Sequence, residues 1–528
     1  MKNFTKSFIA LFILFTSANM FAQYTFDWMQ DEGEYNKSAT TMTTDNDNNV
    51  IVSGHWLHSD IYTRKYNING NMLWEVSDAS GIQSNYQKPM WSNCDAAGNI
   101  YVVGKRYAYS NSGIQEYADA IVVLKYSPSG TLLWKRNLQI SISVVVQAPR
   151  FNLRSEVDDD GNLYIGTSVL TPNSGLTLIK LSPTGTTLFQ TSNATNSGYG
   201  FGTMRLKNGK IYMTGKDDTL HGTPLVVWNT AGDLVFSAGY IHPHNLSPTV
   251  NNGYGFDLEV DDNGNTYLLS PTNHTSVVQT TNNDILVQKI DPTGTLLWQY
   301  NYDFGGNDFP VKFSLGGNKI NIISYFSGFN LFDWRTNQID TNGNQLWNTV
   351  YDAGTNDEIP YWITSTSTGD PIVIGKGGPS PDPNNNYVQM VVVKYNSAGN
   401  QQWISTPNMY GGSGIYCKIA NDESLFAISE HNMTVYHYNP IALSTSEISN
   451  ENLYTVAPNP FSDKVTITLN KINLPANATI FDISGKELIS VNLEVTNYEL
   501  ELSSLKSGIY FCQLKSDSQT ETKKIIKK

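Results

Sequence analysis

Cysteine is nearly absent from this 528-residue sequence: Cys94, Cys417 and Cys512 stand far apart, which allows one disulfide at most and excludes both a disulfide framework and a paired-cysteine metal site. Charge is scarce as well, at 15% of residues, and cations are the minority, with 34 Lys and Arg against 47 Asp and Glu. A net charge of −13 excludes a surface that tracks nucleic-acid phosphates. The deficit is local, because residues 454–528 hold nine Lys and eight Asp or Glu. Long hydrophobic runs are missing too. The one apolar stretch, Phe8–Phe15, is too short to span a bilayer. With Lys2 and Lys6 before it and Ala22 as a cleavage point, it reads as a signal peptide over residues 1–22, and no transmembrane segment is expected after it. Nucleophile elbows, phosphate loops and dinucleotide fingerprints are absent from the sequence.

Turn formers and aromatics are abundant, with 41 Gly, 30 Tyr and 11 Trp, a composition suited to short strands and tight turns. A two-part pattern recurs from the start of the mature chain to about residue 440. Its first half is a turn and a strand: Asp95-Ala-Ala-Gly98-Asn99-Ile-Tyr101 returns as Asp158-Asp-Asp-Gly161-Asn162-Leu-Tyr164 and Asp261-Asp-Asn-Gly264-Asn265-Thr-Tyr267. Weaker copies begin near Asp45, Lys207, Gly316, Ser367 and Asn421. The second half is a strand, a turn and an aromatic strand, as in Lys125-Tyr126-Ser-Pro128-Ser-Gly130-Thr-Leu-Leu-Trp134 and Lys289-Ile-Asp-Pro292-Thr-Gly294-Thr-Leu-Leu-Trp298. Asp caps such turns through its side-chain oxygen, and Gly takes the left-handed position. Apolar residues between the turns alternate with period two.

Eight aromatic anchors result: Trp28, Trp74, Trp134, Phe189, Phe236, Trp298, Trp347 and Trp403, spaced 46–62 residues apart. That spacing accommodates four strands, the unit of a propeller blade. The predicted fold is therefore all-β: an eight-bladed β-propeller of four-stranded blades over residues 23–440, with seven blades as the alternative because the units at Gly316 and Asn421 are degenerate. The chain opens on an isolated aromatic strand around Phe26 and its last unit stops at Tyr436 without one, so these two strands are expected to pair and close the ring. The runs from Asp95 to Trp134 and from Val260 to Trp298 resemble the SBBP-type propeller repeat of bacterial and archaeal surface proteins, which implies a fold and an extracellular setting without a defined reaction. The turn-plus-Trp element also resembles the docking motif of eight-bladed quinoprotein dehydrogenases, but the adjacent Cys pair of that family is missing.

A polar linker, 441–453, ends the repeat, and a small Ig-like β-sandwich is predicted over 454–528. Pro458-Asn459-Pro460-Phe461, Gly485-Lys486, Gly508 with Tyr510, and the ending Lys523-Lys524-Ile-Ile-Lys527 follow in order. This closely resembles the type A C-terminal sorting domain of the type IX secretion system. The resemblance implies a Bacteroidota host, recognition by the secretion machinery, and release or attachment at the outer surface.

Catalytic residues, cofactor ligands and metal ligands are not discernible. The Asp158 and Asp261 loops would suit calcium, but lack the spaced ligand set and read as turns; His242 with His244, and His55 with His58, lack a third ligand and read as loop histidines. Both tight turns of each unit fall on one rim, so the irregular connections, among them Arg106–Ala118, Pro271–Asn283 and Gly377–Asn386, must share the other. That rim, rich in Tyr, Asn, Ser and Thr, is the expected seat of a glycan or protein ligand. A secreted or surface-attached binding or adhesion module is the leading expectation. A hydrolase or lyase whose site assembles on the loop rim is the alternative.

Overall fold

A computed structural model describes residues 23–31, 33, 37–56, 60–78, 85–108, 118–139, 153–169, 175–193, 200–216, 222–241, 255–275, 281–327, 332–354, 357–378, 389–407 and 412–441, and beyond them 454–470, 474–482, 486–515 and 520–528. The signal peptide, His58, His242, His244 and Gly485 lie outside the described residues.

The turns form as their residues require. In Asp158–Asn162, one carboxylate oxygen of Asp158 accepts from the backbone N–H groups of Asp160 (3.1 Å) and Asn162 (2.8 Å). The other accepts from the Asn162 amide (2.9 Å) and the Tyr164 hydroxyl (3.0 Å), and faces the Lys180 ammonium at 4.0 Å. Asp95 and Asp261 repeat these turn bonds and the Tyr contact, with Tyr101 and Tyr267, while Asp45 repeats the turn bonds with Ile51 in place of the Tyr and Lys65 at 2.7 Å. These carboxylates are committed to their own turns, the chemistry expected of them. The degenerate copies find other left-handed residues: Asn208 and Gly209 in one turn, Gly317 in another, and Glu423 (φ 64°) in a third.

Each pair of turns folds one four-stranded antiparallel sheet. Within residues 24–440 the described strands make eight such sheets. Seven are consecutive in sequence. In the second, for example, Asn85–Cys94 is innermost, followed by Ile100–Ala108, Ala118–Tyr126 and the outer Leu132–Gln139. The innermost strands touch in order around a circle, Lys37–Thr44 of the first sheet meeting Gly414–Ile419 of the eighth. The units near Gly316 and Asn421, despite their weak sequence pattern, each supply full strands.

The eighth sheet takes its outer strand from the other end of the propeller: Tyr24–Gln30 pairs with Val435–Pro440, Phe26 opposite Tyr438 and Met29 opposite Tyr436. Asp27 receives His437 Nδ1 at 2.9 Å, and Trp28 stacks on that imidazole. The expected closure is present.

Aromatic anchors sit on the outer strands and join neighbouring sheets. Six lie over the turn glycine of the next sheet: Trp28 on Gly70, Trp74 on Gly130, Trp134 on Gly185, Phe189 on Gly232, Phe236 on Gly294 and Trp347 on Gly399; Trp298 shares Gly343 with Tyr300, and Trp403 packs on Tyr24 and Tyr438. The Trp74 and Trp134 indole N–H groups donate to Pro128 O (3.0 Å) and Pro183 O (2.9 Å) of the same turns. Lysines of the third strands work in parallel. Lys125 reaches Pro183 O at 3.2 Å, lies 3.5 Å from the Asp95 carboxylate, and covers the Tyr101 ring. All eight anchors remain half-buried, so each removes less apolar surface than a core Trp would.

One predicted loop is corrected. Most of Pro271–Asn283 is a hairpin extension, Pro271 pairing with Ile285 and Thr275 with Thr281. Arg106–Ala108, Ala118 and Gly377–Gly378 are likewise strand ends, and the remainders of those two loops lie outside the described residues.

The chain divides between Ile441 and Ala442 into two compact units. The second packs a sheet of Tyr454–Ala457, Lys464–Leu469 and Asn497–Glu501 against one of Ala476–Phe481, Glu487–Leu493, Gly508–Lys515 and Thr520–Lys527. Tyr454, Val465, Ile467, Ile480 and Leu514 make its core. All three cysteines are free thiols.

Candidate ligand site in the channel and the C-terminal tail

The innermost strands alternate like the others, but the face opposite the blade cores lines the channel, and there it carries charge and aromatics: Arg154 and Glu156, Asp257 and Glu259, Trp362, Tyr416 and Lys418. Trp91 of the second sheet and Trp362 of the seventh meet across the ring, their centroids 5.8 Å apart, and Tyr416 of the eighth packs on both at 6.0 and 4.1 Å. Two cations extend this floor. The Arg154 guanidinium lies 4.3 Å from the Trp91 ring centre, and Lys312 Nζ lies 4.2 Å from that of Trp362.

Above the floor is a cavity of about 360 Å³, walled by Phe256, Pro310, Tyr325, Pro360 and Tyr361. These residues come from the beginnings of inner strands, or from the end of a second strand, so the cavity opens on the irregular rim. A smaller space of about 250 Å³ on the far side of Trp362 touches Arg205, Glu259, Tyr416 and Lys418.

Carboxylates in the channel are consumed by cations. Asp257 receives Lys312 at 2.8 Å and Arg205 at 3.4 Å; Glu259 receives Arg205 at 2.6 Å; Glu156 receives Arg154 at 3.0 Å. Burial works to raise the Asp257 pKa, yet the Lys312 and Arg205 charges hold it below the ordinary carboxylate value. Burial, with Arg205 and Arg154 as like neighbours, pushes Lys312 down to about 8 against the pull of Asp257. Asp257 is therefore held ionised, in a fixed network rather than as a proton donor. The described lining of the cavity contains no histidine.

Sequence reasoning did not single out these channel residues. The signal was present as charge and Trp at alternate positions of first strands, but their partners lie a sheet or more away in sequence. His55, on the second strand of the first sheet, is not among the described residues that line the cavity.

In the tail, the Pro458–Phe461 segment meets the last strand, Thr520–Lys527. Asn459 accepts from Ile526 N–H (2.9 Å) and donates to Lys524 O (2.9 Å), and Phe461, fully buried, exchanges backbone hydrogen bonds with Ile526 and Lys528. Pro458 and Pro460 flank that contact. Gly508 and Tyr510 lie on the strand that pairs with the last one, opposite Lys527 and Ile525. Lys527 is buried, its ammonium donating to Leu502 O (2.7 Å) and Ser503 O (3.0 Å), whereas Lys524 is exposed. Lys523 lies over the Tyr454 ring, and Lys486 closes a separate turn onto Asp482. Residues 455–528 match the family described as a secretion system C-terminal sorting domain. The tail is a type IX sorting domain.

With that sorting domain the protein is exported, to the cell surface or the surrounding medium. Among the described residues no helix is long and apolar enough to cross a membrane. No curated protein matches the chain. Similar solved structures include PorZ of Porphyromonas gingivalis, an essential bacterial surface component of the type IX secretion system, at 11% identity over 93% of this chain and 70% of that one (TM-score 0.36). A virginiamycin B lyase from Staphylococcus aureus is similar at 10% identity over 79% and 100% (TM-score 0.41), and YCF48 from Cyanidioschyzon merolae at 9% over 78% and 98% (TM-score 0.40).

Proposed function

We propose that the propeller is a non-enzymatic binding module, delivered by its sorting domain, that takes an extracellular glycan at the channel mouth. The observation that carries this reading is the blind cavity floored by Trp91 and Trp362 and walled by Tyr325 and Tyr361. Flat aromatic faces suit the C–H faces of a sugar ring, while the edges of the Arg154, Lys312 and Asp257 network offer fixed donors and acceptors for its hydroxyls. Its volume of about 360 Å³ suits one or two sugar residues better than a folded protein surface. The ion-paired state of Glu156, Asp257 and Glu259 favours binding over hydrolysis among them, because general acid and base catalysis needs carboxyls held at different protonation states.

A glycan array probed with the full chain, followed by calorimetry on the best ligand, tests the reading. Tyr361→Ala, which alters a half-exposed wall, is expected to weaken binding by about 1–2 kcal/mol, roughly 5–30-fold. An array with no ligand above background would defeat it. Capture of a protein ligand with affinity unchanged in Tyr361→Ala would move the site away from the channel.

A further inference from the structure

At the irregular rim, three carboxylates from the passage between the sixth and seventh sheets come together. Asp333 is the second residue of the sixth sheet's third strand, Phe332–Asp340. Asp352 follows that sheet's outer strand, Gln345–Tyr351, and Glu358 directly precedes the innermost strand of the seventh, Ile359–Ser365. One oxygen from each lies within 4.8 Å of the others. Among the described residues none of the three forms an ion pair with Lys or Arg.

Grouped acids at a surface are unremarkable, but Glu358 is not at the surface. Its side chain is 1% exposed, and its Oε1 has no hydrogen-bond donor. Ionised, the carboxylate has a backbone N–H contact from Ala353 but, among the described residues, no cation to offset its charge. The backbone nevertheless fixes it there. Glu358 N–H donates to Phe332 O at 2.6 Å, and the Asp357 carboxylate receives Phe332 N–H at 3.0 Å. Gly377, at φ +133°, lies so close that a Cβ on it would stand 2.5 Å from Glu358 Cγ.

We infer that Asp333, Asp352 and Glu358 form a divalent-cation site for calcium, which completes the compensation that Glu358 lacks and ties the crossing between the sixth and seventh sheets to the rim. Only oxygen ligands are on offer, which selects a hard cation. Oxygens within 4.8 Å of one another can share a calcium ion at bonds of about 2.3–2.6 Å. Calcium also tolerates an irregular set completed by water and backbone carbonyls. Without a cation, burial and the Asp333 and Asp352 charges push Glu358 up to about 7, and burial with the Asp352 charge raises Asp333. A proton is then the only neutralising partner. The site is distinct from the Asp158 and Asp261 turns, and it does not rest on a glycan occupying the channel, although Ile359 and Pro360, next to Glu358, wall that cavity.

The test uses the full chain stripped with a chelator. Terbium is expected to bind with luminescence sensitised by Trp334 and Tyr351, the sequence neighbours of Asp333 and Asp352, and calcium to displace it. Calcium at 100 times its Kd is expected to raise the unfolding midpoint by several degrees. In Glu358→Gln both responses are expected to fall at least 10-fold, while the calcium-free variant unfolds at or above the calcium-free parent's midpoint, since it loses charge repulsion and keeps its shape. Asp333→Asn provides the same comparison from another strand. Equal terbium and calcium responses in parent and both variants would overturn the inference, as would a parent that shows no calcium response.

Discussion

At the residue scale, one constellation is used repeatedly: a turn Asp, a Tyr two residues past the turn Asn, a third-strand Lys, and an outer-strand aromatic that covers the next sheet's glycine. Trp134 and Gly185 test it. Trp134→Ala removes a half-buried indole and its hydrogen bond to Pro183 O, so it should cost about 2–3 kcal/mol, below the roughly 3–5 kcal/mol of a fully buried Trp. Gly185→Ala should cost about 1–3 kcal/mol, because its φ is +80° and its Cβ would lie 2.9 Å from the indole. Combined, the two should cost less than their sum, since each spoils the same contact. Urea unfolding followed by circular dichroism measures all three. Glu358 gives a pH test of opposite character. Its folded pKa of about 7 stands above the unfolded value of about 4.3, so its contribution is complete below about pH 4.3 and is lost as the pH rises through 7. Calcium-free protein should therefore lose more thermal stability between pH 5 and 8.5 than Glu358→Gln does, and a scan of unfolding midpoints in chelator checks it. Asp333, which burial and the Asp352 charge raise, should keep a smaller slope in the variant.

At the scale of the element, the strand Tyr24–Gln30 has the largest leverage per residue. It is seven residues long, yet it completes the eighth sheet and covers the Val435–Pro440 edge. Its removal would expose that edge and uncover Phe426 and His437, against which Trp28 packs. Deletion of residues 24–30 is expected to yield a chain that unfolds at lower urea concentration and associates at micromolar concentration, whereas Asp27→Asn should keep the strand paired and cost about 1 kcal/mol. Light scattering and urea titration separate the two outcomes. The last strand of the tail, Thr520–Lys527, is the corresponding element there. Phe461 and Asn459 hold it through its backbone, and the Phe461 ring is buried in the tail's core, so Phe461→Ala is expected to destabilise the sorting domain by about 3–5 kcal/mol, while Lys524→Ala, at an exposed position, should leave it folded. Export defects in the second variant alone would therefore report recognition rather than folding.

At the scale of the whole molecule, a ring of sheets and a sorting domain are separate compact units with separate cores. Removing residues 442–528 should leave the β circular dichroism of the propeller intact and retain the protein inside the outer membrane of a type IX host, read by cell fractionation. What could be read directly from the sequence was local in origin. Asp-x-x-Gly-Asn specifies a turn through its own side chain, an aromatic every 46–62 residues marks an outer strand, and the motifs from Pro458 to Lys527 mark a sorting domain. Even the closure was legible, because an outer strand without inner ones and an inner set without an outer one can satisfy their backbone groups together. The lysines of the third strands were visible only as pattern, since their acceptors belong to the next sheet. The channel and the acidic site were silent in the sequence. Trp91, Arg154, Asp257, Lys312, Trp362 and Tyr416 come from six different sheets, and their meeting depends on how many sheets close the ring and how far each side chain reaches across it. Likewise Glu358 is an ordinary linker acid in sequence, and burial against Gly377 with Asp333 and Asp352 nearby gives it its character. The sequence by itself determined the turns, the strands and the export route, because those follow from contacts within a few tens of residues. Tertiary structure alone decided what occupies the channel and the rim, because burial and charge pairing are properties of the closed ring.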